Sequence, residues 1–148
     1  MRGSRAEFVQ MQVAVPSTQV GTRLARGLVG SRLAACVQIV GPVQSHYRWQ
    51  GRIERAREWL LLIKTLEALV PELEAAVRQA HPYTLPEMLV VPVEGGFAPY
   101  LEWVRRECNP GPVRRQRRAA SSRPAARVPR RRVGRSASVR RSRRGRGT

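Results

Sequence analysis

The chain has 148 residues, a formal net charge of +18, two histidines and two cysteines. That length suits one domain plus an appendage, and two cysteines, neither in a metal-ligand spacing such as C-x-x-C, exclude a disulfide framework. No apolar run approaches the roughly 20 residues needed to cross a bilayer, and no signal-peptide pattern accompanies Arg2 and Arg5, so a cytoplasmic protein is expected.

Residues 1–7 are expected to form a flexible leader. Phe8–Val15 reads as a largely apolar strand closed by Pro16. Ser17 or Thr18 can cap a following helix whose stripe runs Val20, Leu24, Leu28 and toward Leu33. Gly21, Gly27 and Gly30 each weaken that helix by about 1 kcal/mol relative to Ala, so its stability must come from packing.

A long hairpin follows, from Ala34 to Thr65. In its first arm Val43, Ser45, Tyr47 and Trp49 share one face, and Gln44, His46, Arg48 and Gln50 the other, the period of two of a half-buried strand. The arm turns at Gly51. In the second arm Leu60 and Leu62 face one way and Trp59, Leu61 and Ile63 the other, which predicts an end covered on both sides. The 17 residues from Ala34 to Gln50 would span roughly 55 Å, against a diameter of roughly 35 Å for a compact domain of this size. Even with a bend at Gly41-Pro42, the tip should project. Projecting strands with aromatics on one face usually find another chain.

A turn leads to Pro71, favourable in a first helical turn, and to a helix ending near Ala80. Leu66, Leu69, Val70, Leu73, Val77 and Ala80 keep one of its faces apolar. His81–Glu87 holds two prolines and must be a loop. Met88–Val93 reads as a short buried strand, and Gly95-Gly96 opens a last helix with Phe97, Tyr100, Leu101 and Val104 on one side. The order β-α-β-β-α-β is that of the α+β ferredoxin-like sandwich, here with a long projecting β-hairpin and an added C-terminal helix.

All ten acidic residues and thirteen basic ones lie within residues 1–108, a balance of only +3; residues 109–148 contain fifteen arginines, no acid and no aromatic. The domain is therefore expected over residues 8–108. The tail over 109–148, with Pro, Ser, Gly and Ala between its arginines, should be disordered. It reads equally well as a polycation contacting nucleic acid without sequence preference or as an unselected extension.

Five motifs stand in order: Arg32-Leu33-Ala34-Ala35-Cys36-Val37, Tyr47-Arg48-Trp49-Gln50-Gly51, Leu62-Ile63-Lys64-Thr65, His81-Pro82-Tyr83 followed by Pro86-Glu87, and Tyr100-Leu101-x-Trp103. Together, over residues 8–106, they resemble the CutA divalent-cation tolerance family. The resemblance implies a homotrimer of ferredoxin-like subunits whose long hairpins pair between subunits. It further implies a cytoplasmic protein of metal tolerance without a settled enzymatic activity, and a divalent cation such as copper as the candidate ligand. The family's copper-site cysteine falls on Val13, and of its consecutive histidines only the second survives, as His81, with Ala80 in place of the first. A lone imidazole is a poor copper site.

The candidate metal residues are accordingly His81 and Glu87, set against a structural role for His81 as partner of a loop carbonyl. Tyr47, Trp49, Ile53 and Trp59 are candidates for the trimer interface. Tyr83 and Trp103 are candidates for a cleft, His46 is expected to be solvated or at an interface, and Cys36 reads as a small core hydrophobe. No serine or cysteine has a recognisable base partner, and no glycine-rich phosphate loop follows a strand, so no enzyme is expected. The alternatives are a trimeric signalling module of the PII type, binding a small ligand between subunits, and a nucleic-acid-associated trimer acting through its tails.

Overall fold

The computed structural model describes residues 6–109. All but the last two residues of the expected leader, and all but the first of the expected tail, lie outside that range. Seven elements follow in order: β1 (Phe8–Val15), α1 (Thr18–Gly30), β2 (Cys36–Trp49), β3 (Arg52–Leu66), α2 (Val70–Ala80), β4 (Met88–Val93) and α3 (Ala98–Glu107), with a 3-10 turn at Glu67–Leu69 before α2. The four strands form one antiparallel sheet in the order β2-β3-β1-β4. This is the expected ferredoxin-like βαββαβ sandwich with an added helix.

Alternation along β1 and β3 sorts the sheet into two faces. Met11, Val13, Val15, Leu61 and Ile63 point to the helical side and join Leu24, Leu28, Leu73 and Val77 in the main core. Gly21 of α1 lies against Leu61, where a Cβ would sit 3.2 Å from the leucine Cδ2. The glycine that weakens the helix lets it approach the sheet. Ser17 is the cap, accepting the Val20 amide at 3.2 Å. The helix stops at Gly30, short of Leu33, and Arg32 turns the chain with a φ of 61°. On the opposite face α3 closes a smaller cluster, where Val104, Ala35 and Cys108 pack with Phe8, Leu66 and Trp103.

The hairpin carries a register shift between Val40 and Val43. Before it, Cys36, Gln38 and Val40 lie opposite Lys64, Leu62 and Leu60; after it, Val43, Ser45, Tyr47 and Trp49 lie opposite Glu58, Ala56, Glu54 and Arg52. One extra residue in β2 flips its parity, as a β-bulge does. Gly41 occupies the bulge with a φ of 145°, and a Cβ there would stand 2.9 Å from Trp59 Cδ1 and 3.1 Å from the Glu58 carbonyl oxygen. The turn is Gln50-Gly51, both at positive φ, as a two-residue hairpin turn requires. β1 pairs with β3 only as far as Trp59, so the arms beyond Val43 and Glu58 pair only with each other. At about 3.3 Å per residue they extend roughly 20 Å past the last rung of β1.

Several expectations need correction. Only the helical face of β3 is fully covered, since Leu60 and Leu62 stay half-buried. β4 is not a buried strand: Leu89 is 54% and Val91 48% exposed, because β4 is an edge strand of the sheet. Phe97 lies before α3 and is 75% exposed, so Val104 alone of the expected stripe is buried. Cys36 is half-buried on the outer face rather than in the core, because the strand register places it opposite Lys64.

Candidate functional site

Two polar clusters lie at opposite ends of the sheet. The first is built on the loop after α2. His81 is buried at 8% exposure, its Nε2 lies 2.8 Å from the Ala14 carbonyl oxygen, and its Nδ1 accepts the Tyr83 amide at 3.0 Å. Since Nδ1 accepts, Nε2 carries the proton and donates it to Ala14. The Tyr83 ring packs on the imidazole at 5.0 Å between centroids. Its hydroxyl donates to Glu58 Oε1 at 3.0 Å, a carboxylate only 6% exposed at the root of the hairpin. Glu87 instead accepts from Gln12 Nε2 at 2.9 Å and is exposed.

His81 and Glu87 therefore have separate partners, and both imidazole nitrogens are engaged by the chain itself. Val13 is fully buried among aliphatic side chains. Among the described residues, no three His, Cys, Asp or Glu side chains gather where they could hold a metal ion. A copper ion does not fit His81 as it stands, because it would have to displace the Ala14 carbonyl or the Tyr83 amide. An open groove of about 440 Å³ beside the loop is lined by Ala75, Arg78, Gln79, Tyr83, Thr84 and Pro86.

The second cluster lies on the outer face near α3. Cys36 and Lys64 are directly opposite each other on β2 and β3, and Gln10 of β1 flanks Lys64 on its other side. The Lys64 ammonium donates to Gln38 Oε1 and, at 3.2 Å, to the Leu62 carbonyl oxygen. Burial pulls the Lys64 ammonium below the usual lysine range, and the Cys36 thiol beside it pulls the other way. Burial first, and the Cys36 thiol second, push the phenol of Tyr100 on α3 above its ordinary value. Trp103 packs on Tyr100 at 5.4 Å between ring centroids.

Tyr83 sits beside the Val15 end of β1 and Trp103 beside the Phe8 end, so one chain does not bring the two together in a cleft. On the hairpin, Tyr47 and Trp49 share the outer face, whereas Ile53, opposite Arg48, lies on the other. Ile53 is 74% and Trp49 47% exposed. Trp59 is half-buried against the main core, with Arg57 stacked 5.7 Å over its ring. His46 is exposed and bonds Gln44 at 3.3 Å. Sequence reasoning passed over Glu58, Lys64 and Tyr100 as site residues. Only Lys64 carried a signal, as a charge at the same parity as Leu60 and Leu62.

These features define a class: ferredoxin-like domains whose second and third strands run on as a free, aromatic hairpin. The chain belongs to the CutA1 divalent ion tolerance protein family, whose profile matches residues 9–107. It is 45% identical over 93 residues to the divalent-cation tolerance protein CutA of Thermus thermophilus, covering 63% of this chain and 90% of that one. The solved structure of that bacterium's Cut A1 superposes with a TM-score of 0.68 over 69% of this chain and 99% of its own. Human protein CutA is 46% identical over 94 residues, 64% of this chain, and the match spans 52% of the human length. A third relative, described as the periplasmic divalent cation tolerance protein CutA of Archaeoglobus fulgidus, superposes with a TM-score of 0.67 at 31% identity, over 69% of this chain and 99% of its own. Among the described residues no helix is long and apolar enough to cross a membrane.

Proposed function

We propose that the protein acts in divalent-cation tolerance as a homotrimer, without a catalytic step of its own. Membership of the family carries the tolerance reading. The trimer is supported by the hairpin, whose Trp49 and Ile53 are exposed on a ribbon with two unpaired edges, and by the uncovered Leu89 and Val91 of β4. Strand edges and apolar faces of this kind are normally covered by another chain. Tyr47, Trp49, Ile53 and Trp59 remain the proposed contacts. A subunit interface is also the place where Tyr83 and Trp103 of different copies could form the cleft that one copy lacks.

The relatives reported above bear divalent-cation tolerance or CutA names, which lends nothing to a PII-type or nucleic-acid reading. A cytoplasmic location is supported by the sequence pattern alone, and the Archaeoglobus relative is described as periplasmic. Copper binding at His81 and Glu87 should be weak, because both imidazole nitrogens are already bonded.

Deleting the gene in its own host should lower growth on elevated copper or another divalent cation; equal growth would sink the tolerance reading. Sedimentation of the chain truncated after Cys108 should report three subunits, and a stable monomer at micromolar concentration would remove the assembly. Calorimetry of the same protein with Cu(II) at neutral pH should show no submicromolar site. Tight binding lost in His81→Ala would show that the loop rearranges around the metal.

A further inference from the structure

We infer that the loop over residues 81–87 works in this chain as a brace for the hairpin. Tyr83, positioned from β1 through His81, grips Glu58 and so fixes the direction in which the free ribbon leaves the sheet. The two candidate metal residues, His81 and Glu87, serve as the anchors of that brace. Its consequence for assembly rests on the homotrimer proposed above; the brace itself does not.

The loop is tied to β1 at both ends. His81 Nε2 donates to the Ala14 carbonyl oxygen at 2.8 Å, and Gln12 Nε2 donates to Glu87 Oε1 at 2.9 Å. Between these anchors the His81 Nδ1 accepts the Tyr83 amide at 3.0 Å, and the two rings pack with centroids 5.0 Å apart. The Tyr83 hydroxyl then donates to Glu58 Oε1 at 3.0 Å. The position of Glu58 gives that bond its leverage. β1 pairs with β3 only as far as Trp59, and Glu58 is the next residue, opposite Val43 in the first pair beyond the bulge. Tyr83 therefore holds β3 at the first rung that β1 no longer reaches.

A carboxylate only 6% exposed is costly to leave without a donor, and the phenol supplies a charge-assisted bond. A two-stranded ribbon is at best marginally stable alone, so the direction of the arms is set at their root. Two residues meet there: Gly41 bends β2 at the bulge, and Glu58 ties β3 to the loop. Without the phenol, Glu58 gains a new partner only by shifting the root of β3 toward water. A small shift at the root is carried along the whole ribbon, out to Trp49 and Ile53, the exposed residues proposed above as subunit contacts.

The test compares the full-length wild type with Tyr83→Phe, Glu58→Ala and the double variant. Tyr83→Phe keeps the ring against His81 and removes only the donor. Amide hydrogen exchange over residues 43–58, read by mass spectrometry, should speed up about tenfold in Tyr83→Phe, the scale of one hydrogen bond to a charged group. Glu58→Ala should speed it as well, and the double variant should not exceed the larger single effect. Peptides from Phe8–Val15 should exchange as in the wild type. Subunit exchange, followed by native mass spectrometry after mixing isotopically labelled with unlabelled protein, should quicken by a similar factor. Unchanged exchange over 43–58 in Tyr83→Phe, an equal rise in β1, or single effects that add in the double variant would overturn the brace. Faster ribbon exchange with unaltered subunit exchange would overturn its link to assembly. A wild type that sediments as a monomer would remove the trimer, and the hydrogen-exchange comparison would still decide the brace.

Discussion

Gly41 shows how much of the hairpin depends on one residue. Its φ of 145° lies where L side chains rarely go, and a Cβ would meet both Trp59 and the Glu58 backbone. Gly41→Ala should therefore cost about 1–3 kcal/mol of stability, read as a lowered thermal midpoint. An unchanged midpoint would mean the bulge relaxes freely and does not fix the register beyond it. That register decides which face every later side chain of β2 occupies. Cys36 lies before the bulge and could not be placed from the sequence for a different reason: alternation within an apolar stretch says which residues share a face, not which face is covered. His81 was more legible. The absence of neighbouring ligands at Val13 and Ala80 was already visible; the alternative offered for it, a bond to a loop carbonyl, was right in kind but not in place, since the imidazole bonds the carbonyl of Ala14 in strand β1. Glu58 was hidden because its partner, Tyr83, lies 25 residues on.

At the scale of elements, strands and helices were legible to within a few residues, since each is bounded by Pro, Gly or a cap. The packing of β4 and α3 was not, because an apolar run reads alike whether a helix, a second chain or solvent meets it. α3 is tied to the start of β1 by charge. Arg105 forks onto Glu7 at 2.7 and 2.8 Å, also bonds Glu102, and lies 5.0 Å over the Phe8 ring. The guanidinium holds the Glu7 carboxyl below its ordinary value of 4.5. A carboxyl lowered in the folded state contributes stability that is fully present above its unfolded value and lost as pH falls through the folded one. Amide exchange along Ala98–Glu107 should accordingly speed up as pH drops below 4.5, after correction for intrinsic rates, and Glu7→Gln should show the faster exchange already at neutral pH. Indifference of α3 to both changes would mean that Val104 and Trp103 alone anchor it.

For the whole molecule the governing fact is the division of charge. Fifteen of the 28 basic residues fall in residues 109–148 without one acidic residue, so the basic character of the chain is not that of the folded domain. The segment lacks the apolar residues that offset ordering entropy, and the domain should fold without it. Assembly changes what the tail can do. Three tails of fifteen arginines would bring 45 to one particle, and tethering multiplies weak contacts through effective concentration. The intact protein should then bind RNA or DNA at low salt without sequence preference, and binding should fall steeply between about 50 and 200 mM salt as counterions are no longer released at a gain. Truncation after Cys108 should abolish that binding while leaving the three-subunit stoichiometry and the thermal transition intact. Equal binding by the truncated chain would place the basic surface on the domain, where the Arg48, Arg55 and Arg57 face of the hairpin is the strongest candidate. Absence of binding by the intact chain at low salt would leave the arginines as an extension without a role in nucleic-acid contact.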